Sequence, residues 1–198
     1  HANGGGITGL PTGYTEFDQM TAGLQPTDLI ILAARPAMGK TTFALNIAEY
    51  AAIKTKKAVA VFSMEMSASQ LALRLISSNG RINATRLRTG QLEDEDWSRV
   101  TSAIRMIKET KIFIDDTPAL SPDVLRAKAR RLKREHDLGL IVIDYLQLMQ
   151  VPGNKENRAT EISEISRGLK ALAKELDVHV IALSQLNRSL EQRTDKKP

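Results

Sequence analysis

The residues best equipped for chemistry lie in "AARPAMGKTTFALNIA", residues 33–48. Gly39 lets the main chain turn tightly and bring amide groups against anionic oxygens. Lys40 supplies a mobile positive charge for the outer phosphates of a nucleotide. Thr41 offers a hydroxyl to a divalent cation, and Thr42 can donate toward the inner phosphate. The helix after the loop favours an anion at its amino end. The spacing is that of a phosphate-binding loop, except that Ala34 stands where a first glycine is usual. Pro36 stiffens the loop instead, and Ala34 needs only a backbone angle open to alanine. A chance Gly-Lys-Thr turn is the plain alternative. The apolar strand before it and the amphipathic helix after it argue against that.

A Mg²⁺ ion at such a loop needs a second anchor, and an apolar strand ending in aspartate supplies one. Two segments qualify: "IFIDD", with Asp115 and Asp116, and "LIVID", with Asp144. Pattern alone does not separate them. The downstream segment favours Asp144, because "QVPGNKENRA" (150–159) is polar and marked by Gly and Pro, as a working loop at a sheet edge would be. "DDTPALSP" leads instead into a capped helix, where its acids could be turn residues.

Hydrolysis also needs a group to orient or deprotonate water. Glu65, in "FSMEMSAS", leaves the second strand at its carboxyl end. It would lie near a terminal phosphate if the second strand is close to the first. Gln185, in "ALSQLNR", ends the last strand at the same edge, where a neutral amide can sense that phosphate. The plain alternatives are a solvent-facing acid before a helix cap and a polar strand terminus.

These side chains need elements to hold them. Apolar runs at 28–34, 57–63, 110–116, 139–144 and 178–184 read as strands. Most are continuously apolar, as expected when helices cover both faces of a parallel sheet. Residues 41–53 read as a helix with Phe43, Ile47 and Ala51 recurring. Ser67 and Gln70 form a capping box at the start of the next helix. The excursion from 68 to 108 reads as two helices joined by "GRINATRLRTGQ", the second with Trp97, Val100, Ile104 and Ile107 on one face. Ser121-Pro122 caps a further helix with Leu125, Ala129 and Leu132 inward. The last helix runs from about Thr160 to Glu175 with Ile162, Ile165, Leu169 and Leu172 apolar. This alternation is α/β.

Composition sets outer bounds. The 198 residues include 42% hydrophobic and 26% charged ones, an ordinary globular mixture with room for one domain. There is no cysteine, which excludes disulfides and thiolate metal sites. Three scattered histidines argue against a histidine-rich metal site. No membrane span or signal peptide is expected, and residues 1–14 read as a flexible leader. The net charge of +5 suits a polyanionic partner but does not require one. Arg126, Lys128, Arg130, Arg131, Lys133 and Arg134 fall on more than one helix face. They read as a solvated helix, with a subunit interface or a nucleic-acid surface as the alternatives.

Together the segments resemble the RecA-like motor domain of bacterial replicative DNA helicases of the DnaB type. The likeness runs from "ITGLPTGYTEFDQMTAGLQPTDLIILAARPAMGKTTFALNIA" through "FSMEMS", "RTGQLEDEDW", "IDDTPALSP", "LIVIDYLQLM" and "EISEISRGLKALAKEL" to "ALSQLNRSLEQRTDKKP". In that family "AARPAMGKTT" is the ordinary form of the loop, although Ala37 replaces a common serine and Met64 a common leucine. The resemblance implies a RecA-like P-loop fold for 15–198, binding ATP or ADP with Mg²⁺. It implies that Arg35, Ala37, Met38, Gly39, Lys40, Thr41 and Thr42 line the nucleotide and that Thr41 and Asp144 serve the metal. Glu65 would polarise the attacking water, Lys40 would steady the transferred phosphate, and Gln185 would couple it to the nucleic acid. Arg188 is implied as a neighbour of this chemistry.

The family works as a cytoplasmic homo-hexamer on single-stranded DNA at replication forks, with primase, a helicase loader and the clamp-loader complex. Its N-terminal domain, a linker helix, DNA-contacting loop residues and a trans-acting arginine have no counterpart in residues 1–198. The expectation is that this chain alone hydrolyses ATP weakly or not at all and unwinds nothing. A recombinase or clock-type ring ATPase, or an ATP-gated assembly module, are the competing readings. "DYLQLM" with "SQLNRSLEQR" favours the helicase.

Overall fold

The computed structural model describes residues 29–34, 39–144, 149 and 158–185, with main chain only at 33, 34, 39, 40 and 185. Five strands are described: β1 (Leu29–Ala34), β2 (Ala58–Ser63), β3 (Ile112–Asp115), β4 (Leu138–Asp144) and β5 (His179–Gln185). They form one sheet in the order β1-β5-β4-β2-β3, and every described pairing is parallel. Six helices connect them: α1 (Gly39–Thr55), α2 (Ala68–Gly80), α3 (Ala84–Thr89), α4 (Asp94–Glu109), α5 (Pro122–His136) and α6 (Arg158–Leu176).

Alternation along the strands divides the core in two. Ala58, Ala60, Phe62, Ile141, Ile143, Val180 and Ala182 pack with Leu125 and Ala129 of α5 and with Ile165, Leu169 and Leu172 of α6. The intervening residues Val59, Val61, Leu140, Val142, Ile181 and Leu183 pack on the other face with Ile47, Ala48 and Ala51 of α1 and Leu71 and Leu75 of α2. Both faces are thus covered, which is why the central strands carry almost no polar residues. Exposure rises only at the edges, where Ile31 of β1 is 44% exposed.

The strand order settles the condition attached to Glu65. β2 is not beside β1, because β5 and β4 lie between them. Instead β2 adjoins β4, with Ser63 in register with Asp144.

Three readings of the helices change. The excursion from 68 to 108 holds three helices rather than two. Its middle one, α3, is capped by the side chain of Asn83 and stopped by Gly90 at φ 76°. It buries none of its residues and so leaves no apolar period. On α4 the inward residues are Asp96, Val100 and Ala103, with Ile107 half-buried, while Trp97 is 53% and Ile104 36% exposed. Asp96 goes inside because it is satisfied there: it accepts from the Glu93 N–H at 3.2 Å and pairs with Arg86 at 2.8 Å. The last helix starts at Arg158, whose guanidinium pairs with Glu161 and reaches the Met149 carbonyl at 3.4 Å.

The basic helix uses its charge internally. Arg126 and Arg130 both hold Glu175 of α6. Arg131 pairs with Glu135, and Lys133 bonds the Leu138 carbonyl at 3.3 Å. The Glu175 pairs tie α5 to α6, and the Lys133 bond ties it to β4. No described helix is long and apolar enough to cross a membrane.

Candidate active site

Parallel strands deliver their carboxyl ends to one edge, and several of the residues singled out by sequence that are described lie at it. β1 ends at Ala34, in register with Gln185 at the end of β5. Beside β5, β4 ends at Asp144, and beside β4, β2 ends at Ser63, two residues before Glu65. α1 begins at the same edge, at Gly39.

One contact closes the site across 103 residues of sequence. The Thr41 hydroxyl donates to Asp144 Oδ2 at 3.2 Å. Both residues are buried, Thr41 at 9% and Asp144 at 3% exposure. A carboxylate carried so deep at a strand end is unfavourable unless it serves a cation or a hydrogen-bond network. One hydroxyl and one carboxylate are hard oxygen donors, the kind Mg²⁺ takes from protein while phosphate and water complete its shell. No group of three or more His, Asp or Glu suited to a metal occurs among the described residues. A phosphate-bridged Mg²⁺ does not need one.

The rival acids are committed elsewhere. Asp115 Oδ2 accepts from Lys128 at 2.7 Å, and its Oδ1 accepts from the Thr117 N–H at 2.9 Å. Asp116 Oδ2 accepts from the Ala68 N–H at 2.8 Å and so caps the start of α2. Partial burial pushes the Asp115 carboxyl up, but Lys128 and the Thr117 donors outweigh it and hold it below its ordinary value. The folded value is therefore the depressed one. The pairing stabilises the fold above the ordinary carboxylate range, near pH ~4, and that stabilisation is lost as pH falls through the folded value. Asp115→Asn should lower the melting temperature at neutral pH, and the gap to wild type should close below about pH 4. Thermal unfolding across pH checks this. A gap that persists in acid would show that the charge is irrelevant.

Glu65 sits in a bend between β2 and α2 and is exposed. The start of α2 carries the expected capping box: Ser67 Oγ accepts from the Gln70 N–H, and Gln70 Oε1 accepts from the Ser67 N–H. Such a cap contributes about 1 kcal/mol. Thr42 lies on the first turn of α1. The main chain of Gly39, Lys40 and Gln185 stands at this edge, whereas Arg35, Ala37, Met38, Arg188 and the loop 150–157 lie outside the described residues. Sequence reading passed over Ser63. Its signal was a lone polar residue closing the apolar run "AVAVF".

The pattern of the DnaB-like helicase C terminal domain matches residues 9–198. The chain belongs to that family. It is 60% identical over its whole length to the replicative DNA helicase DnaB of Geobacillus stearothermophilus, and 57% identical to the replicative DNA helicase DnaC of Bacillus subtilis. In both cases it spans 44% of the relative's length. Among solved structures it superposes on an ATPase domain with a TM-score of 0.89 at 41% identity, covering 98% of this chain and 70% of that one. A DnaB-like replicative helicase, solved in a study of its interactions with primase, gives 0.87 at 41% identity over 97% of this chain and 46% of that one. The fold is thus the RecA-like one of DnaB-type ATPase domains.

Proposed function

We propose that this chain is the ATP-driven motor domain of a bacterial replicative DNA helicase, which couples hydrolysis to movement along single-stranded DNA. The observation that carries the reading is the Thr41–Asp144 contact at the shared edge. It sets a hydroxyl from the first turn after the phosphate-binding loop against a buried acid from another strand. That is the protein share of a Mg²⁺-nucleotide site.

In this reading the amides around Gly39 and the start of α1 receive the phosphates, since a helix amino end attracts anions. Residues 35, 37 and 38 shape the loop's approach, Lys40 neutralises the outer phosphates, and Thr42 donates at the inner one. Bound Mg²⁺ supplies charge neutralisation at the phosphates. Thr41 and Asp144 hold its position. Glu65 orients water from the β2 side, and Gln185, at the end of β5, reports the state of the terminal phosphate. Assembly as a hexameric ring, contact with primase and loader proteins, and work at forks in the bacterial cytoplasm complete the proposal. The kinship with DnaB-type helicases supports these, and the solved relative with primase supports that partner.

The test is ATP turnover with and without single-stranded DNA. It is measured on this chain and on a chimera in which the chain replaces the matching segment of the Geobacillus relative. We expect Mg²⁺-dependent nucleotide binding by the chain, weak turnover alone, and DNA-stimulated turnover with strand separation in the chimera. Nucleotide binding without any DNA stimulation in the chimera would favour an assembly module and refute the motor.

A further inference from the structure

Ser63 is a buried hydroxyl that the nucleotide chemistry does not use. It is fully buried at the end of β2, where Ala58 to Phe62 are apolar. A valine or alanine would suit that strand better, since a buried hydroxyl is costly unless bonded. Its bonds are local. Ser63 Oγ accepts from the Met66 N–H at 3.1 Å and donates to the Met66 carbonyl at 2.9 Å. One side chain thus holds both main-chain groups of a single residue and closes a four-residue bend. Met64 and Glu65 are the two residues inside it.

The rest of the segment is fixed from outside. The Met64 N–H donates to the Asp144 carbonyl at 2.9 Å, so the bend springs from the strand end that carries the buried acid. On the far side Asp116 and the Ser67–Gln70 box secure the start of α2. Within this frame Glu65 is exposed and makes no hydrogen bond or ion pair among the described residues. The bend's main chain, held by Ser63, sets where the Glu65 side chain starts.

We propose that Ser63 is a positioning residue for Glu65, holding the bend so that the carboxylate faces the site beside Asp144. This rests on the reading of Glu65 as the water-orienting group. A displaced catalytic group loses rate rather than affinity, because orientation counts in the transition state.

The experiment is a double-mutant cycle in the chimera, read as single-turnover ATP hydrolysis together with nucleotide affinity and melting temperature. Ser63→Ala should slow hydrolysis about tenfold or more while affinity changes less than about twofold. Ser63→Thr, which keeps the hydroxyl, should restore most of the rate. In a Glu65→Gln background Ser63→Ala should add almost nothing, because the group it aims is already gone. Equal slowing in both backgrounds, or a Ser63→Thr variant as slow as Ser63→Ala, would show a merely structural serine and overturn the proposal. If Glu65→Gln slows hydrolysis while Ser63→Ala does not, the positioning role fails and the reading of Glu65 stands. If Glu65→Gln leaves hydrolysis unchanged, both fail.

Discussion

Asp144→Asn should slow Mg²⁺-dependent ATP hydrolysis on the order of 10²-fold while leaving the fold intact. The substitution keeps the side-chain volume and an oxygen able to accept the Thr41 hydroxyl, now at 3.2 Å from Asp144 Oδ2. It removes the charge. Inside the protein that charge acts much more strongly than in water, because Asp144 is only 3% exposed and screening is weak. Losing a well-placed cation costs several kcal/mol of transition-state stabilisation; about 3 kcal/mol corresponds to a rate loss on the order of 10²-fold. Nucleotide binding measured in chelator should be unchanged, and the added affinity from Mg²⁺ should largely vanish. Melting temperature should not fall, since a buried amide costs less than a buried carboxylate. By contrast, Asp115→Asn should reduce stability and spare Mg²⁺ dependence, because its partners are Lys128 and Thr117. Full retention of the Mg²⁺ effect in Asp144→Asn would dismiss this residue as the metal-associated acid.

The contrast between these two aspartates shows what was legible in the sequence. Both end apolar strands, and strand ends are readable because buried parallel strands are continuous apolar runs. The choice between them came from the segment downstream of each, and from family likeness. Their actual partners were not readable. Lys128 is 13 residues from Asp115, and Ala68 is 48 residues from Asp116. The same limit applied to Glu65. Strand sequence says which faces are buried but not which strand lies alongside, so closeness to β1 remained conditional until β4 and β5 were seen between them. Local signals did better: the Ser67–Gln70 box and the Ser121 cap are both formed. Periodicity misjudged α4 because it counts apolar residues alone. There a buried acid, satisfied by Arg86 and the Glu93 amide, takes an inward position and turns Trp97 outward.

Glu65→Gln should leave nucleotide bound and nearly unhydrolysed. The substitution preserves length and shape and deletes only the negative charge that can draw a proton from water. A positioned general base contributes roughly 10²- to 10⁴-fold, so single-turnover hydrolysis should fall by about that range, with nucleotide affinity almost unchanged. The position of the bend makes the assignment specific. Thr41 and Asp144 meet at the end of β4, and β2 lies beside β4 on the side away from β5 and β1. In the proposed reading water attacks in line, from the side opposite the leaving phosphates, and Glu65 would orient it from the bend after β2. Because the Ser63–Met66 bonds fix the main chain, reach is set by side-chain length. Glu65→Asp, one methylene shorter, should therefore hydrolyse slowly too, although it keeps the charge. A Glu65→Asp variant at wild-type rate would mean that the bend moves to compensate. A Glu65→Gln variant at wild-type rate would remove Glu65 from the chemistry and leave the attacking water to be oriented by another group at this edge.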